Sequence, residues 1–231
     1  MGWLGPEEWQ AVALSLKVAV WATVLSLPPA VFVAHALARW QFRGKALVNG
    51  LVHLPLILPP VVTGYLLLLT FGRRGPIGGW LYDTFGLVLA FRWTGAVLAA
   101  AIMAFPLIVR AIRLAIEAVD PGLEAAASTL GASRIWVFVT ITLPLILPGI
   151  IAGAVLGFAK ALGEFGATIT FVANIPGETQ TLPSAIYAFL QVPGGEASAM
   201  RLVVIAVVIA LSAVLISESL ARRAAKRVAG G

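Results

Sequence analysis

The chain has 231 residues, of which 60% are hydrophobic and only 11% are charged, and its mean hydropathy is +0.99. Average soluble domains carry about 45–50% apolar and about 25% charged residues, so this composition excludes a soluble enzyme and indicates an integral membrane protein. The sequence has no cysteine, which excludes disulfides and thiolate-bound metal centres.

Five segments are long and apolar enough to cross a bilayer as helices, which takes about 20 residues each. They cover approximately residues 11–38, 47–71, 94–114, 144–172 and 200–220. The first contains Lys17 and the pair Pro28 and Pro29, and the fourth contains Lys160 and Glu164. The sequence therefore predicts an all-α polytopic membrane protein with a single transmembrane domain, residues 1–231.

Two connections between these segments are long. The stretch 115–143 is polar enough to lie in water and predicts two helices, at 123–130 and 133–141. The stretch 173–199 contains a short apolar run, 182–190, which predicts a re-entrant or surface helix. A deeper position for that run would make six spans, so the choice between five and six stays open.

The distribution of positive charge predicts the orientation. With the N-terminus outside, ten of the sixteen Lys and Arg residues fall on the inner side and four on the outer side. The inner residues are Arg39, Arg43, Lys45, Arg110, Arg113, Arg134, Arg222, Arg223, Lys226 and Arg227. Cytoplasmic loops are enriched in such residues, so we expect the C-terminus in the cytoplasm. This dispersed charge explains the net charge of +6 without nucleic acid.

The inner connection 115–143 contains a spaced motif. Glu124, Ala125 and Ala126 are followed by Gly131 and, after nine intervening residues, by the segment 141–144, Ile-Thr-Leu-Pro. The two alanines favour a helix of little bulk, Gly131 suits a left-handed helix end, and Ser133 can cap the next helix. We expect the Glu124 carboxylate to meet basic or backbone donors on a partner.

This motif resembles the signature of the membrane subunits of bacterial ATP-binding-cassette importers. The resemblance implies a type I importer permease fold of the MetI-like kind, in which the loop docks on an ATPase subunit. It further implies a homodimer in the bacterial cytoplasmic membrane, two cytoplasmic ATPase subunits that use ATP and Mg²⁺, and an extracytoplasmic binding protein. The sequence has no phosphate-binding loop of its own, and we expect this chain to bind no cofactor and to have no catalytic or metal site.

Further segments are similar to the molybdate permeases and, less closely, to the sulfate permeases. They are Gly163–Thr168, Asn174–Pro183 and Leu54–Tyr65. The resemblance implies transport of molybdate or a related tetrahedral oxyanion by alternating access, and it leaves molybdate, tungstate and sulfate open. An ion-coupled secondary transporter, which needs no docking motif, is the alternative from another class, and a membrane enzyme is a third.

Two groups of residues are candidates for the translocation pathway. Pro59, Pro60, Thr63 and Gly64 disturb the second span, and such backbone is tolerated at membrane depth only where protein or a water-lined cavity covers it. The segment therefore lines the pathway or is merely a packed kink.

The second group is Lys160, Glu164 and Thr168 in the fourth span. A spacing of four places Lys160 and Glu164 on one helix face, and the cost of a buried charge predicts that they pair within the bundle. The pair either fixes the helix register or borders the oxyanion path. Thr168 and Thr170 can donate hydroxyl hydrogens to a passing oxyanion.

Overall fold

We describe the fold from a computed structural model. The structure describes residues 3–229, and the side chains of residues 3–219, and this part of the chain is helical without a strand. The helices in chain order are α1 (Pro6–Arg39), α2 (Lys45–Ile57), α3 (Pro60–Phe71), α4 (Pro76–Phe85), α5 (Trp93–Glu117), α6 (Pro121–Thr129), α7 (Arg134–Val137), α8 (Leu143–Leu162), α9 (Gly166–Val172), α10 (Leu182–Leu190) and α11 (Glu196–Ala229). A π-helical turn, Phe138–Thr142, joins α7 to α8.

Prolines mark where many of these helices begin. A proline has no N–H to leave unsatisfied in a first turn, and its fixed φ suits the helix, so it favours that position. The first residues of α1, α3, α4 and α6 are Pro6, Pro60, Pro76 and Pro121. By contrast, Pro28 and Pro29 lie inside α1 without ending it.

The core is built around α5, against which α1 and α8 both pack. The buried faces of α1 and α5 are rich in alanine, and these small side chains let the two backbones approach closely. The fully buried alanines are Ala19, Ala22, Ala30 and Ala34 of α1 and Ala96, Ala99, Ala100 and Ala104 of α5.

Glycines serve the same purpose where α8 meets α5. Gly149, Gly153 and Gly157 recur every fourth residue and therefore lie on one face of α8. A Cβ atom added at Gly149 would collide with Ala115, and one added at Gly157 would collide with Ile108. Close packing of α8 on α5 thus requires glycine at position 149, whereas at position 157 the Ile108 side chain would have to move and at position 153 the added atom would be a tight contact.

Four described helices are long and apolar enough to span a membrane, and a fifth span results if the bent pair α2–α3 is counted as one. This agrees with the five predicted segments. The axes of α2 and α3 differ by 113°, so the second segment is broken rather than gently kinked. The run 182–190 forms α10, as predicted, whereas α4 lies in a stretch for which no helix was predicted.

The fourth segment differs from the prediction of one helix over 144–172. The helix α8 ends at Leu162, and a separate short helix, α9, begins at Gly166. The carbonyl groups freed by this break are satisfied in part by turn bonds, such as Glu164 N–H to the Ala161 carbonyl at 3.3 Å. The break is the feature that positions Lys160 and Glu164.

Charged and aromatic residues lie at both ends of the apolar belt. Near one end the Lys17 ammonium group lies 3.5 Å from the centre of the Trp93 ring. Arg39 and Arg113 lie near the other ends of the same two helices. At 1.5 Å per residue, Lys17 to Arg39 covers about 33 Å and Trp93 to Arg113 about 30 Å, which matches the thickness of the hydrocarbon core.

Candidate functional site

Two regions contain the residues that the sequence singles out. The first is the hairpin formed by α6 and α7, which we call the docking hairpin (residues 120–137). The second is the crossing of α3 and α9, together with the chain break between α8 and α9, which we call the helix crossing (residues 59–64 and 160–170). They are described in that order.

Local interactions define the docking hairpin as the sequence predicted. The Asp120 carboxylate accepts a hydrogen bond from the Gly122 N–H at 2.8 Å and caps α6. Gly131 has a φ of +87°, the left-handed conformation that glycine adopts without strain. Ser133 accepts a hydrogen bond from the Trp136 N–H at 3.3 Å and caps α7. The two predicted helices and the turn between them are therefore confirmed.

The second helix of the hairpin continues into the membrane. The helical stretch Arg134–Leu162, which includes the π-helical turn, is one of the four candidate spans. Thr142 lies in that turn and is buried. Because no flexible loop separates α7 from α8, a displacement of the hairpin is passed directly to the span.

The outer surface of the docking hairpin combines small residues with unpartnered apolar ones. Ala125 and Ala126 are exposed, as a close contact with another backbone requires. Leu130 is 89% exposed, Ile135 is 79% exposed and Trp136 is 62% exposed. The sequence analysis missed the last three. The sequence indicates them as large apolar residues inside the otherwise polar stretch 115–143.

The Glu124 carboxylate faces the body of the protein instead of the outside. Its Oε2 lies 3.2 Å from Arg39 Nε, and its Oε1 accepts hydrogen bonds from Arg39 Nη2 at 3.3 Å and from the Thr142 hydroxyl at 2.8 Å. We expected this carboxylate to meet donors on a partner. In the structure, donors from the chain itself occupy Oε1, and Oε2 is in ion-pair contact with Arg39.

At the helix crossing, Pro59 and Pro60 form the corner between α2 and α3. Pro59 is the N-cap residue of α3 and Pro60 is its first residue, so neither needs a backbone N–H there. Both are exposed, whereas Thr63 and Gly64, one turn further, are buried. The predicted disturbance of the second span is thus a sharp corner whose outer side is open.

Glycines bring α3 and α9 into contact. A Cβ atom added at Gly64 would lie 2.5 Å from the Ala167 carbonyl oxygen, and one added at Gly166 would lie 2.7 Å from Pro60 Cβ. Real Cβ atoms do not approach so closely, so both positions require glycine unless the helices separate. This contact joins the two candidate groups, which are about 100 residues apart in the sequence.

Lys160 and Glu164 form the predicted ion pair, but not on one regular helix. Lys160 lies in the last turn of α8, and Glu164 lies in the break before α9. Their side-chain atoms Nζ and Oε2 are 2.6 Å apart. The other carboxylate oxygen, Oε1, accepts the Ala167 N–H at 2.9 Å. The Glu164 side chain is 2% exposed and the Lys160 side chain is 29% exposed, so the pair is buried on its acidic side.

The hydroxyl groups of α9 are used within the helix. Thr168 donates towards the carbonyl oxygens of Phe165 at 2.8 Å and Glu164 at 3.2 Å, and Thr170 donates to Gly166 at 2.9 Å. Donation from these hydroxyl groups to a passing oxyanion stays a prediction. The Thr63 hydroxyl is buried, and among the described residues it has no hydrogen-bond partner.

The described residues contain no group of three or more His, Asp or Glu side chains placed to hold a metal ion. What the structure does contain is a set of apolar spans, a corner at membrane depth and a rigid hairpin with an apolar tip. These features define a polytopic membrane protein that presents an exposed apolar hairpin.

Comparison with known families agrees with this class. Residues 20–230 match the family of binding-protein-dependent transport system inner membrane components, so the chain belongs to this family. It is thus a multi-pass inner membrane component of an ATP-binding-cassette importer, and its fold is that of the type I importer permeases.

Individual relatives cover almost the whole chain. The molybdenum transport system permease protein ModB of Escherichia coli (strain K12) is 63% identical over 97% of this chain and 98% of its own length. The protein of the same description from Haemophilus influenzae is 58% identical over the same shares. A solved bacterial ATP-binding-cassette transporter involved in alginate import has a TM-score of 0.74 with 19% identity, covering 95% of this chain and 80% of that one. At that identity the likeness concerns the fold alone.

Proposed function

We propose that this chain is the permease subunit of a molybdate importer and forms the path by which the oxyanion crosses the cytoplasmic membrane. The observation that carries the substrate class is the 63% identity, over nearly the full length, to a molybdenum transport permease. Molybdate is a tetrahedral dianion, and tungstate and sulfate share its shape and charge. The binding protein that delivers the anion is expected to contribute most of the choice among them.

The docking hairpin supports the use of an external ATPase. Its exposed apolar residues Leu130, Ile135 and Trp136 suit an apolar groove on a partner, since large apolar side chains at such tips mark interaction sites. Because α7 continues into α8, closure of an ATPase dimer would tilt the span Arg134–Leu162, whose last turn contains Lys160. This chain has no ATPase activity of its own in our proposal, and its partner subunits bind ATP and Mg²⁺.

The complete importer in this proposal contains two copies of the permease, two cytoplasmic ATPase subunits and one extracytoplasmic oxyanion-binding protein. The excess of basic residues at the ends that include Arg39 and Arg113 supports an N-terminus outside and a C-terminus in the cytoplasm. Alternating access follows: ATP closes the ATPase dimer, the path opens outward to receive the anion, and hydrolysis returns the permease to the inward-open state.

We place the path beside the helix crossing. The open corner at Pro59 and Pro60 lies next to Thr63, whose buried hydroxyl has no hydrogen-bond partner among the described residues. The Lys160–Glu164 pair carries no net charge, and a neutral pair suits release better than a bare lysine, which would hold a dianion tightly. The contact between Gly64 and α9 lets the two helices move as one unit.

Reconstitution tests this proposal. The permease, its ATPase and the binding protein are incorporated into lipid vesicles, and the metal content of the lumen is measured by mass spectrometry after molybdate is added. We expect uptake that requires both ATP and the binding protein and that excess tungstate inhibits. Uptake that persists without ATP but collapses with the ion gradient would instead identify an ion-coupled secondary transporter.

A further inference from the structure

The Glu124 carboxylate of the docking motif lies at the centre of a polar cluster that joins three parts of the chain. Arg39, in the last turn of α1, approaches both of its oxygens and also donates to the Val119 carbonyl oxygen at 2.9 Å. Thr142, in the π-helical turn before α8, donates to Glu124 Oε1 at 2.8 Å. We call this cluster the hairpin clamp (Arg39, Val119, Glu124 and Thr142).

The clamp is partly shielded from water, and within it Arg39 Nε lies at ion-pair distance from Glu124 without making a hydrogen bond. The Arg39 and Glu124 side chains are 18% and 20% exposed, and Thr142 is 1% exposed. A planar guanidinium group presents several donors at fixed angles, so one arginine can hold a carboxylate and a backbone carbonyl at once. Hydrogen bonds to charged groups are stronger than neutral ones, and partial burial lowers their screening by solvent.

Other interactions do little to hold α6 in place. None of the nine residues of α6, all of which the structure describes, is buried. Leu123, its largest apolar residue, is 49% exposed. Burial of apolar surface therefore contributes little to the position of α6, and among the described residues its side-chain hydrogen bonds to the membrane-spanning body are those of the clamp.

We propose that Arg39 is a positioning residue for energy coupling: it acts through Glu124 to fix α6 to the inner ends of α1 and α8. The inference rests on the proposed function, because it assumes that the hairpin receives motion from an ATPase. It assigns the apolar tip, Leu130 and Trp136, to contact with the ATPase, and Glu124 to transmission inside the permease. Without the clamp, α6 still docks, but its displacement reaches the membrane-spanning body only through α7 and α8 and no longer acts directly on α1.

Two measurements separate docking from transmission. Co-purification of the ATPase with a tagged permease reports docking, and the amount of molybdate taken up per ATP hydrolysed in vesicles reports coupling. We expect Arg39→Gln to retain the ATPase while its uptake per ATP falls about tenfold, the factor that corresponds to the loss of one charged hydrogen bond. The matched control is Arg43→Gln, which removes the same charge from an exposed arginine without an acidic partner among the described residues. This control should couple normally.

A double variant tests whether Arg39 acts through Glu124. If it does, Glu124→Gln should show the same loss as Arg39→Gln, and the combination should be no worse than either one, because residues of one network are not additive. A Glu124→Gln variant that loses the ATPase while Arg39→Gln retains it would show that Glu124 contacts the partner, and would overturn the proposal. Independent, additive losses would overturn it as well.

The controls distinguish the remaining outcomes. If Arg39→Gln does not fold, Arg39→Lys is the alternative variant, because it keeps the charge but loses the planar set of guanidinium donors. We expect it to fold and to show a smaller fall in coupling. Normal coupling in both Arg39 variants would overturn the clamp while leaving the proposed function intact. If the wild-type chain itself neither retains an ATPase nor requires ATP for uptake, the proposed function fails instead.

Discussion

The Lys160–Glu164 pair allows a sharp prediction, because its two members differ in burial. Replacing Lys160 by Met leaves the Glu164 carboxylate, which is 2% exposed, with only the Ala167 N–H as a donor. Breaking a buried ion pair on one side costs about 3–5 kcal/mol, and the remaining hydrogen bond places this variant near the lower value. Glu164→Gln should cost less, about 1–2 kcal/mol, since Lys160 can turn to water and the amide oxygen still caps α9.

The double variant, Lys160→Met with Glu164→Gln, removes both charges and leaves no buried ion. We expect its stability to lie within about 1 kcal/mol of the wild type, because a buried pair is often replaced at little cost when both partners change. The assay is the thermal midpoint of the purified permease in detergent, followed by uptake into vesicles. The expected order of stability is double variant, then Glu164→Gln, then Lys160→Met, with most uptake retained in the double variant.

Two results would refute this reasoning. A double variant that assembles normally but has lost uptake would show that Lys160 acts on the anion, so the pair would belong to the path itself. Equal stability of the two single variants would show that the burial of Glu164 does not determine the cost. Glu178→Gln, at an exposed carboxylate outside the helices, serves as the control and should change neither measurement.

Three further predictions concern backbone geometry and topology. Gly131→Val should weaken co-purification of the ATPase, because a β-branched residue is strained by about 1–2 kcal/mol at a left-handed position, whereas Gly131→Asn, which tolerates it, should not. Gly64→Ala should lower the thermal midpoint and uptake, since its Cβ would lie 2.5 Å from the Ala167 carbonyl oxygen; Gly50→Ala, in open space, should not. Cysteine at position 41 should react with an impermeant maleimide only after lysis, and cysteine at position 178 in intact spheroplasts; the reverse result would overturn the orientation.

Much of the docking hairpin could be predicted because its determinants are local. Asp120 caps the helix that begins at the next residue by accepting a hydrogen bond from an N–H two residues beyond it. Gly131 adopts a left-handed conformation that its lack of a side chain permits. Ser133 accepts a hydrogen bond from the N–H of the third residue beyond it. The spans follow equally from the length of their apolar runs. The glycines at 149, 153 and 157 were also readable as a close-packing face, although we did not use their spacing.

Two features of the site were decided only by the tertiary structure, because they depend on contacts between distant parts of the chain. The direction of the Glu124 carboxylate is set by Arg39, 85 residues away, and by Thr142, 18 residues away in the π-helical turn before α8. Likewise, the closeness of Gly64 to Ala167 follows from how α3 and α9 cross.

The sequence by itself determined which segments enter the membrane and where the hairpin turns, since hydropathy and capping act within a few residues. It could not determine that the fourth span breaks after Leu162, because the glycines at that point, Gly163 and Gly166, weaken a helix but are tolerated within membrane spans. The break exists where the Glu164 side chain accepts both the Lys160 ammonium group and the Ala167 N–H, and where Gly166 contacts Pro60 of another helix. The first two contacts are local, whereas the contact of Gly166 with Pro60 arises only when the helices pack, so the tertiary structure decides it.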